Sequence, residues 1–544
     1  MISEFLVSDE LKNRYYEQGY WTAETIETVW NRQSGRFSSK VYVKDNHIAL
    51  TYRDVDKKAA RLAYWLSERG VSNGDVLTFQ VPMWAEFCII YVAALKLGAV
   101  MHPLPKNFNT EDLVRAMTLV GSSALICPTF DHKTNYEQQA EEVSEQLGNL
   151  KAVVLIDKFK GACGDFPVLS NIVEEGPKLA PLGSGAKSDD IACILSTSGT
   201  TGIPKAALLT HNNILFSERS MIQGFGFTAD DTAYMASPLN HATGFFHGLL
   251  IPMLSGATCI LDAKFSPESA IDRMNSEGCT WSMAATPFIY DILQCMRRSQ
   301  RRTKTLRLWL CGGAPVPSSL IQSAREHGIT LCEIYGSTES CPHIYVPPAE
   351  CLNWNGSWSG VPFEGIEVKV AQDDIEVPIG EQGEELSRGP HLFVGYINNK
   401  GANNRALTSD GWFRSGDLCY QDEQGRIRIN GRKKEIIIRG GENISANEID
   451  AALVGCPGIA DHATIGMPDD RLGERICTFV VATRCNEADR PTVASLAAYL
   501  ESKHVQKRLW PERVEVIDEI PRTATMKTKR HQLADELARR MKSE

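Results

Sequence analysis

With 544 residues, of which 43% are hydrophobic and 23% charged, the chain is too long for a single hydrophobic core and too apolar for global disorder. A formal net charge of -10 argues against a surface built to neutralise phosphate backbones, so nucleic acid is not an expected partner. The 15 cysteines are scattered, with no C-x-x-C pair and no metal-like cluster with histidine, which predicts reduced thiols in a cytoplasmic protein.

The opening MISEFLVSDELKNRYYEQGYW is acidic and lacks the basic start and apolar block of a signal peptide. The longest apolar run, near Phe87 to Leu95, is too short to span a bilayer, so no integral membrane segment is expected. Further on, TEDLVRAMTLVG predicts a helix capped by Thr110, with Leu113, Val114, Met117 and Val120 on one face and Gly121 ending it. SALIC follows as a buried strand, and PLGSGAKSDD reads as an exposed loop. IACIL, LRLWLC and LCEIY read as short strands, each running into a glycine-bearing loop. That alternation is the pattern of an α/β protein, whose ligands bind beyond the strand ends. Two basic runs, Arg297 to Arg307 and Lys527 to Lys542, read as solvated faces, with Lys527 excepted.

Toward the C-terminus, RIRIN and EIIIR look like two strands joined by a turn at GRKK. Ser445 and Glu448 then have capping-box spacing at the start of a helix carrying Ile449, Ala452 and Leu453. The expected division is a large domain over 1–431 and a small α+β domain over 432–544.

The segment with the most chemistry is STSGTTGIPKAALLTH, Ser196 to His211, directly after IACIL. Its small residues let backbone N–H groups approach an anion, its hydroxyls add donors, and Lys205 adds a positive charge. Such a loop can cradle phosphates, although the spacing G-x-x-x-x-G-K-S/T is absent.

Here the sequence resembles the adenylate-forming superfamily of acyl-coenzyme A synthetases, peptide-synthetase adenylation domains and firefly luciferase. Thr197 to Lys205 match its phosphate-loop hallmark, with Ala206 where glycine is usual. Further family motifs recur in order along nearly the whole chain: CGGAP from Cys311, YGSTES from Tyr335, GWFRSGDL from Gly411, and GRKKEIIIRGGENIS from Gly431. The resemblance implies an α/β fold with a large N-terminal domain of mixed sheets flanked by helices, plus a small mobile C-terminal domain.

It also implies roles. Ser196, Thr197, Ser198, Gly199, Thr201, Gly202 and Lys205 would hold the phosphates of ATP, and Thr200 and Glu339 would place Mg²⁺. Gly313 and Ala314 would lie beside the adenine, Tyr335 would stack on it, and Gly336, Ser337 and Thr338 would continue that wall toward the phosphates. Asp417 and Arg432 would bind the ribose, Lys434 would be the hinge, and Gly440, Gly441 and Glu442 would border the channel for coenzyme A. In SPLNHATGFFHG and ATPFIYDIL, the residues Asn240, His241, Phe245, Phe246 and Phe288 would line the carboxylic acid's pocket.

The family's catalytic lysine falls on Lys527 in PRTATMKTKR, where Met526 replaces a glycine and Arg530 a lysine. If the glycine position needs a positive φ, methionine is strained there. The implied reaction is attack of a carboxylate on the α-phosphorus of ATP, then transfer of the acyl group to a thiol. Closest is the resemblance to bacterial short- and medium-chain fatty acyl-coenzyme A synthetases. Two alternatives stay open: a ligase loading the phosphopantetheine of a carrier protein, and a non-catalytic relative that binds acid or nucleotide.

Overall fold

The computed structural model describes residues 7–131, 134–159, 161–162, 164–175, 183–197, 205–313, 316–439, 442–469, 471–483, 490–523 and 526–543. Two mixed sheets form the frame of the first four hundred residues. The larger is nine-stranded; at its centre the strands Thr330–Ser337, Leu308–Gly312, Trp281–Ala285, Thr232–Met235 and Thr258–Leu261 run parallel. The other is seven-stranded, with Ile191–Thr197 between Val100–Pro103 and the antiparallel Lys205–Thr210.

The helix Glu86–Leu97 is buried around almost its whole circumference, which explains its unbroken apolar sequence. Phe87 and Tyr91 on that helix pack against Phe245, at ring-centroid distances of 5.0 and 5.4 Å. Full burial of a side chain of this size contributes about 2–3 kcal/mol. No helix of the described residues is long and apolar enough to cross a membrane.

The expected helix spans Thr110–Val120 and ends at Gly121, whose φ of 66° suits glycine. Its cap, however, is Asn109 rather than Thr110: the Asn109 side chain accepts from the backbone N–H of Asp112, and Thr110 donates to Glu142 instead. Asparagine one position earlier has the same capping chemistry and the right reach.

A third, five-stranded antiparallel sheet carries Gly383–Arg388, Phe413–Gln421 and Ile427–Arg432. A fourth, also of five strands, holds Glu442–Ser445, Ile436–Arg439, Gly473–Ala482, Ile459–Asp469 and Arg513–Val516. RIRIN and EIIIR therefore do not form a hairpin. Each pairs within a different sheet, and the chain crosses between them over the short 3₁₀ turn Lys433–Glu435. Charged residues with no apolar face to bury are suited to such a crossing.

The capping box at Ser445 is also absent. Ser445 occupies the N-cap of Ala446–Leu453 but makes no side-chain cap bond; its hydroxyl donates to the carbonyl of Asn430 on the preceding sheet, and Glu448 pairs with Arg508. Ile437, Ile444, Ile449, Leu453, Ile476, Val480, Leu496 and Leu500 close a core of their own in this last unit.

Candidate functional site

The parallel strands of the large sheet end together, and their C-terminal ends supply one side of the site. Strand Leu308–Gly312 delivers Gly313, with φ of 91°, and strand Thr330–Ser337 delivers Tyr335 to Ser337. At Gly336 a Cβ would stand 2.0 Å from the carbonyl oxygen of Cys341, so only glycine fits. Ser337 and Ser340 then close the turn that presents Glu339: the backbone N–H groups of Glu339 and Ser340 both donate to the Ser337 hydroxyl, each at 3.2 Å. Thr338 is half-buried in this turn.

Asp417 reaches the same place from the neighbouring sheet. The Tyr335 hydroxyl donates to Asp417 Oδ2 at 2.7 Å, and Arg432, its cross-strand partner, places Nε 3.3 Å from Oδ1. Oδ1 is buried and receives no hydrogen bond from the described residues. Burial raises the Asp417 pKa above that of an ordinary aspartate, with Arg432 opposing. Burial first and Asp417 second push the Tyr335 phenol far above its usual value, so it remains a donor. The buried acceptor Oδ1 is therefore suited to the hydroxyls of a sugar.

The third wall comes from the C-terminal unit. Lys527 lies over Gly313, with Cε 3.5 Å from the position a Cβ on that glycine would take. Part of its surface stays open to solvent, but the protein around it lowers its pKa, and the Arg432 cation adds to this, while Asp417 and Glu339 pull the other way. His241 is close enough to feel Lys527: burial, then that positive charge, take its pKa down to about 4, so its ring is neutral at physiological pH.

Met526 explains how the turn is made. Its φ is 63°, so the residue adopts the left-handed conformation that glycine would favour, at about 1 kcal/mol of strain. Arg522 restrains it by donating to the Met526 carbonyl at 3.0 Å and pairing with Asp461 at 2.7 Å. Arg530, at the former lysine position, bonds Glu435, Asp450, Asn447 and the carbonyl of Thr464.

On the phosphate side, Ser196 and Thr197 end one strand and pair with Ala206 and Lys205 at the start of the next. Ser198, Gly199, Thr200, Thr201, Gly202 and Ala314 lie outside the described residues, as do Gly440 and Gly441. Lys205 holds Nζ 4.7 Å from the ring centre of Tyr396, whose hydroxyl donates to Glu339 Oε1 at 2.7 Å. Tyr396 thus joins the lysine to the carboxylate, a role that GY in the sequence does not signal. Glu339 has further lone pairs for a hard cation, and a single carboxylate is an adequate protein share of a magnesium site completed by phosphate oxygens.

In the acid-binding segment, Asn240 and His241 are half-buried just before the π-helix Thr243–Leu250. Phe245 and Phe246 on that helix are wholly buried. Phe288, half-exposed, packs edge-on to Phe265 at 4.7 Å. Glu442 is exposed on the fourth sheet opposite Arg439, and Lys434 lies in the 3₁₀ turn. Arg297, Arg301 and Arg307 of the first basic run form ion pairs with Glu326, Asp272 and Asp231.

Comparison with known proteins bears on this arrangement. The family model of AMP-binding enzymes matches residues 30–397, and that of the AMP-binding enzyme C-terminal domain matches residues 448–527. The medium-chain fatty-acid–CoA ligase of Escherichia coli K12 is 37% identical over 98% of this chain and 94% of its own. The 2,3-dihydroxybenzoate-AMP ligase of Bacillus subtilis 168 is 26% identical over 98% and 97%. The crystal structure of ATP-bound MatB from Rhodopseudomonas palustris superposes with a TM-score of 0.82 at 24% identity, covering 94% of this chain and 99% of that one. The last likeness is one of fold.

Proposed function

Because the chain belongs to the AMP-binding enzymes, and so is an AMP-forming acid–thiol ligase driven by ATP, we propose that it converts a medium-chain fatty acid to its acyl-adenylate and passes the acyl group to coenzyme A. The observation that carries the residue-level reading is Lys527 lying over Gly313 within the field of His241, Asp417 and Glu339.

A carboxylate lacks a leaving group. One of its oxygens attacks the α-phosphorus of ATP, the bond to the bridging oxygen breaks, and pyrophosphate departs. Tyr335 stacks on the adenine while Asp417 Oδ1 and Arg432 hold the ribose, which fixes the α-phosphorus for in-line attack. Lys527, protonated, meets the negative charge that builds between carboxylate and phosphate. Lys205 and the loop after Thr197 hold the pyrophosphate; Glu339, oriented by Tyr396, and Thr200 would hold Mg²⁺, which would supply positive charge against the leaving phosphates. Neutral His241 lies beside the incoming carboxylate without adding charge.

In the second half-reaction the thiol sulfur attacks the acyl carbon and AMP leaves. The C-terminal unit beyond Arg432 turns at Lys434, withdraws Lys527 and brings Gly440 to Glu442 alongside the adenylate. The His-Ala-Thr-Gly run from His241 and the greater identity to the fatty-acid ligase than to the dihydroxybenzoate enzyme support an apolar acid and coenzyme A over a carrier protein. Thirteen described cysteines, all free and buried, support a reducing cytoplasm as its location.

The test is pyrophosphate–ATP exchange with Mg²⁺ over a panel of straight-chain, branched and aromatic acids, followed by offering coenzyme A or a phosphopantetheinylated carrier. Exchange with medium-chain acids and free acyl-coenzyme A are expected. Exchange confined to aromatic acids, or acyl groups found only on the carrier, overturns the proposal.

A further inference from the structure

Behind Tyr335 and Asp417 lies a buried polar line that the reaction as described does not use. Tyr335 O–H donates to Asp417 Oδ2, but the same phenol oxygen stands 3.4 Å from Glu385 Oε2. Glu385 is fully buried on the strand Gly383–Arg388, between the strands Glu367–Gln372 and Phe413–Gln421. Its other oxygen, Oε1, lies 3.2 Å from Nε2 of His343, also fully buried, on the strand adjoining that of Tyr335.

His343 Nδ1 lies 3.1 Å from the carbonyl oxygen of Cys341. A carbonyl only accepts, so Nδ1 carries a hydrogen, and a second hydrogen must lie between Nε2 and Oε1. The pair therefore compensates a carboxylate that would otherwise be buried alone, at a cost of several kcal/mol. Ser415 completes the frame: its hydroxyl donates to the Glu385 carbonyl at 2.8 Å and accepts from the Asp417 backbone N–H at 3.1 Å.

A phenol has one proton and here two carboxylate neighbours, so its direction is set by their balance. In the structure the shorter contact, to Asp417, takes it, and Glu385 is satisfied from the far side by His343. We propose that His343 is a positioning residue: by occupying Glu385 it keeps the Tyr335 hydroxyl on Asp417, and so aims the Asp417 carboxylate at the ribose hydroxyls of ATP; this rests on the nucleotide reading of Tyr335 and Asp417 above. It does not touch the nucleotide. It fixes the direction of a group that does.

The experiment measures binding of ATP and of 2′,3′-dideoxyATP to the full-length protein by calorimetry, for wild type, Glu385→Leu, His343→Leu, Glu385→Gln and Asp417→Asn. The wild type should prefer ATP over the dideoxy analogue, and Asp417→Asn should abolish that preference. His343→Leu, which leaves Glu385 free to claim the phenol proton, should reduce the preference about tenfold, the effect of misaiming a charge-assisted hydrogen bond, whereas Glu385→Leu, which removes the competing acceptor, should retain it. His343→Leu should raise KM for ATP and leave KM for the acid unchanged. Glu385→Gln keeps a polar partner for both neighbours and should retain most of the preference, so it also serves if a leucine variant fails to fold. Equal weakening of ATP and dideoxyATP in His343→Leu, no change in either, or loss of the preference in Glu385→Leu overturns the proposal. If the wild type itself shows no preference and Asp417→Asn binds ATP as the wild type does, the ribose assignment fails and the positioning role falls with it.

Discussion

The nucleoside side of the site and the Lys527 turn are built in opposite ways. Tyr335 and Asp417 sit on strands paired on both sides, and Arg432 on the edge strand beside Asp417, with Glu385 and His343 buried behind them, so their geometry is fixed by sheet ladders. Lys527 hangs from a short turn containing a methionine in left-handed conformation, held by Arg522 and by hydrogen bonds of Thr523 to residues 526 and 527. A group that must stay is embedded in a sheet. On the proposed mechanism, the group that arrives and leaves is held at a tip, where few contacts need to break.

The sharpest way to break this contrast is Lys527→Ala. Adenylate formation should fall about a thousandfold, on the order of 4 kcal/mol, while acyl transfer from supplied acyl-adenylate to coenzyme A persists. Equal loss in both half-reactions, each followed by rapid quench, would contradict a lysine that serves one step only.

Smaller effects probe what supports each side. Tyr396→Phe removes the hydrogen bond to Glu339 and keeps the ring under Lys205, so adenylation should drop about tenfold and the Mg²⁺ concentration for half-maximal rate should rise, as read by magnesium titration of pyrophosphate exchange. Arg522→Leu frees the Met526 carbonyl and should slow adenylation by a similar factor of about ten, with thiol transfer untouched.

The two sides also titrate in opposite directions. In its proposed role Asp417 must be ionised to accept from ribose, and its raised pKa means that this is lost, as pH falls, above the ordinary 3.8. In its proposed role Lys527 must be charged, and its lowered pKa means that this is lost, as pH rises, below the ordinary 10.5. The adenylation profile should therefore be a bell narrower than unperturbed groups would give, and Lys527→Arg should extend its alkaline limb. A limb unmoved in that variant assigns it to another group.

The smallest expected change is for Met526→Gly. Release of left-handed strain and the added freedom of the unfolded chain nearly cancel, so stability should move by less than about 1 kcal/mol and the adenylation rate by less than about twofold. Chemical denaturation and exchange kinetics together measure both.

Part of this was legible in the sequence because strand-end glycines and the turn before Lys527 depend on local residue type and spacing. Gly336 and the positive φ at Met526 are of that kind: each is set by backbone conformation within a few residues. What local reading misplaced was decided by competition between neighbours or by distance along the chain. Asn109 outcompetes Thr110 for the cap, and the Ser445 hydroxyl is taken by Asn430 instead of its own helix. The Ile427–Arg432 strand finds its partner in Phe413–Gln421, so the expected hairpin becomes a crossing between sheets. Tyr396 is 57 residues from Glu339, and Glu385 is 42 from His343; nothing in either local sequence announces the pairing.

The most direct measurement of the central claim is the fate of ATP labelled in its phosphates, incubated with the purified protein, Mg²⁺, coenzyme A and a medium-chain fatty acid. AMP, pyrophosphate and acyl-coenzyme A in equal amounts are predicted. Release of ADP and phosphate, or no consumption of ATP with any acid in the panel, contradicts the account.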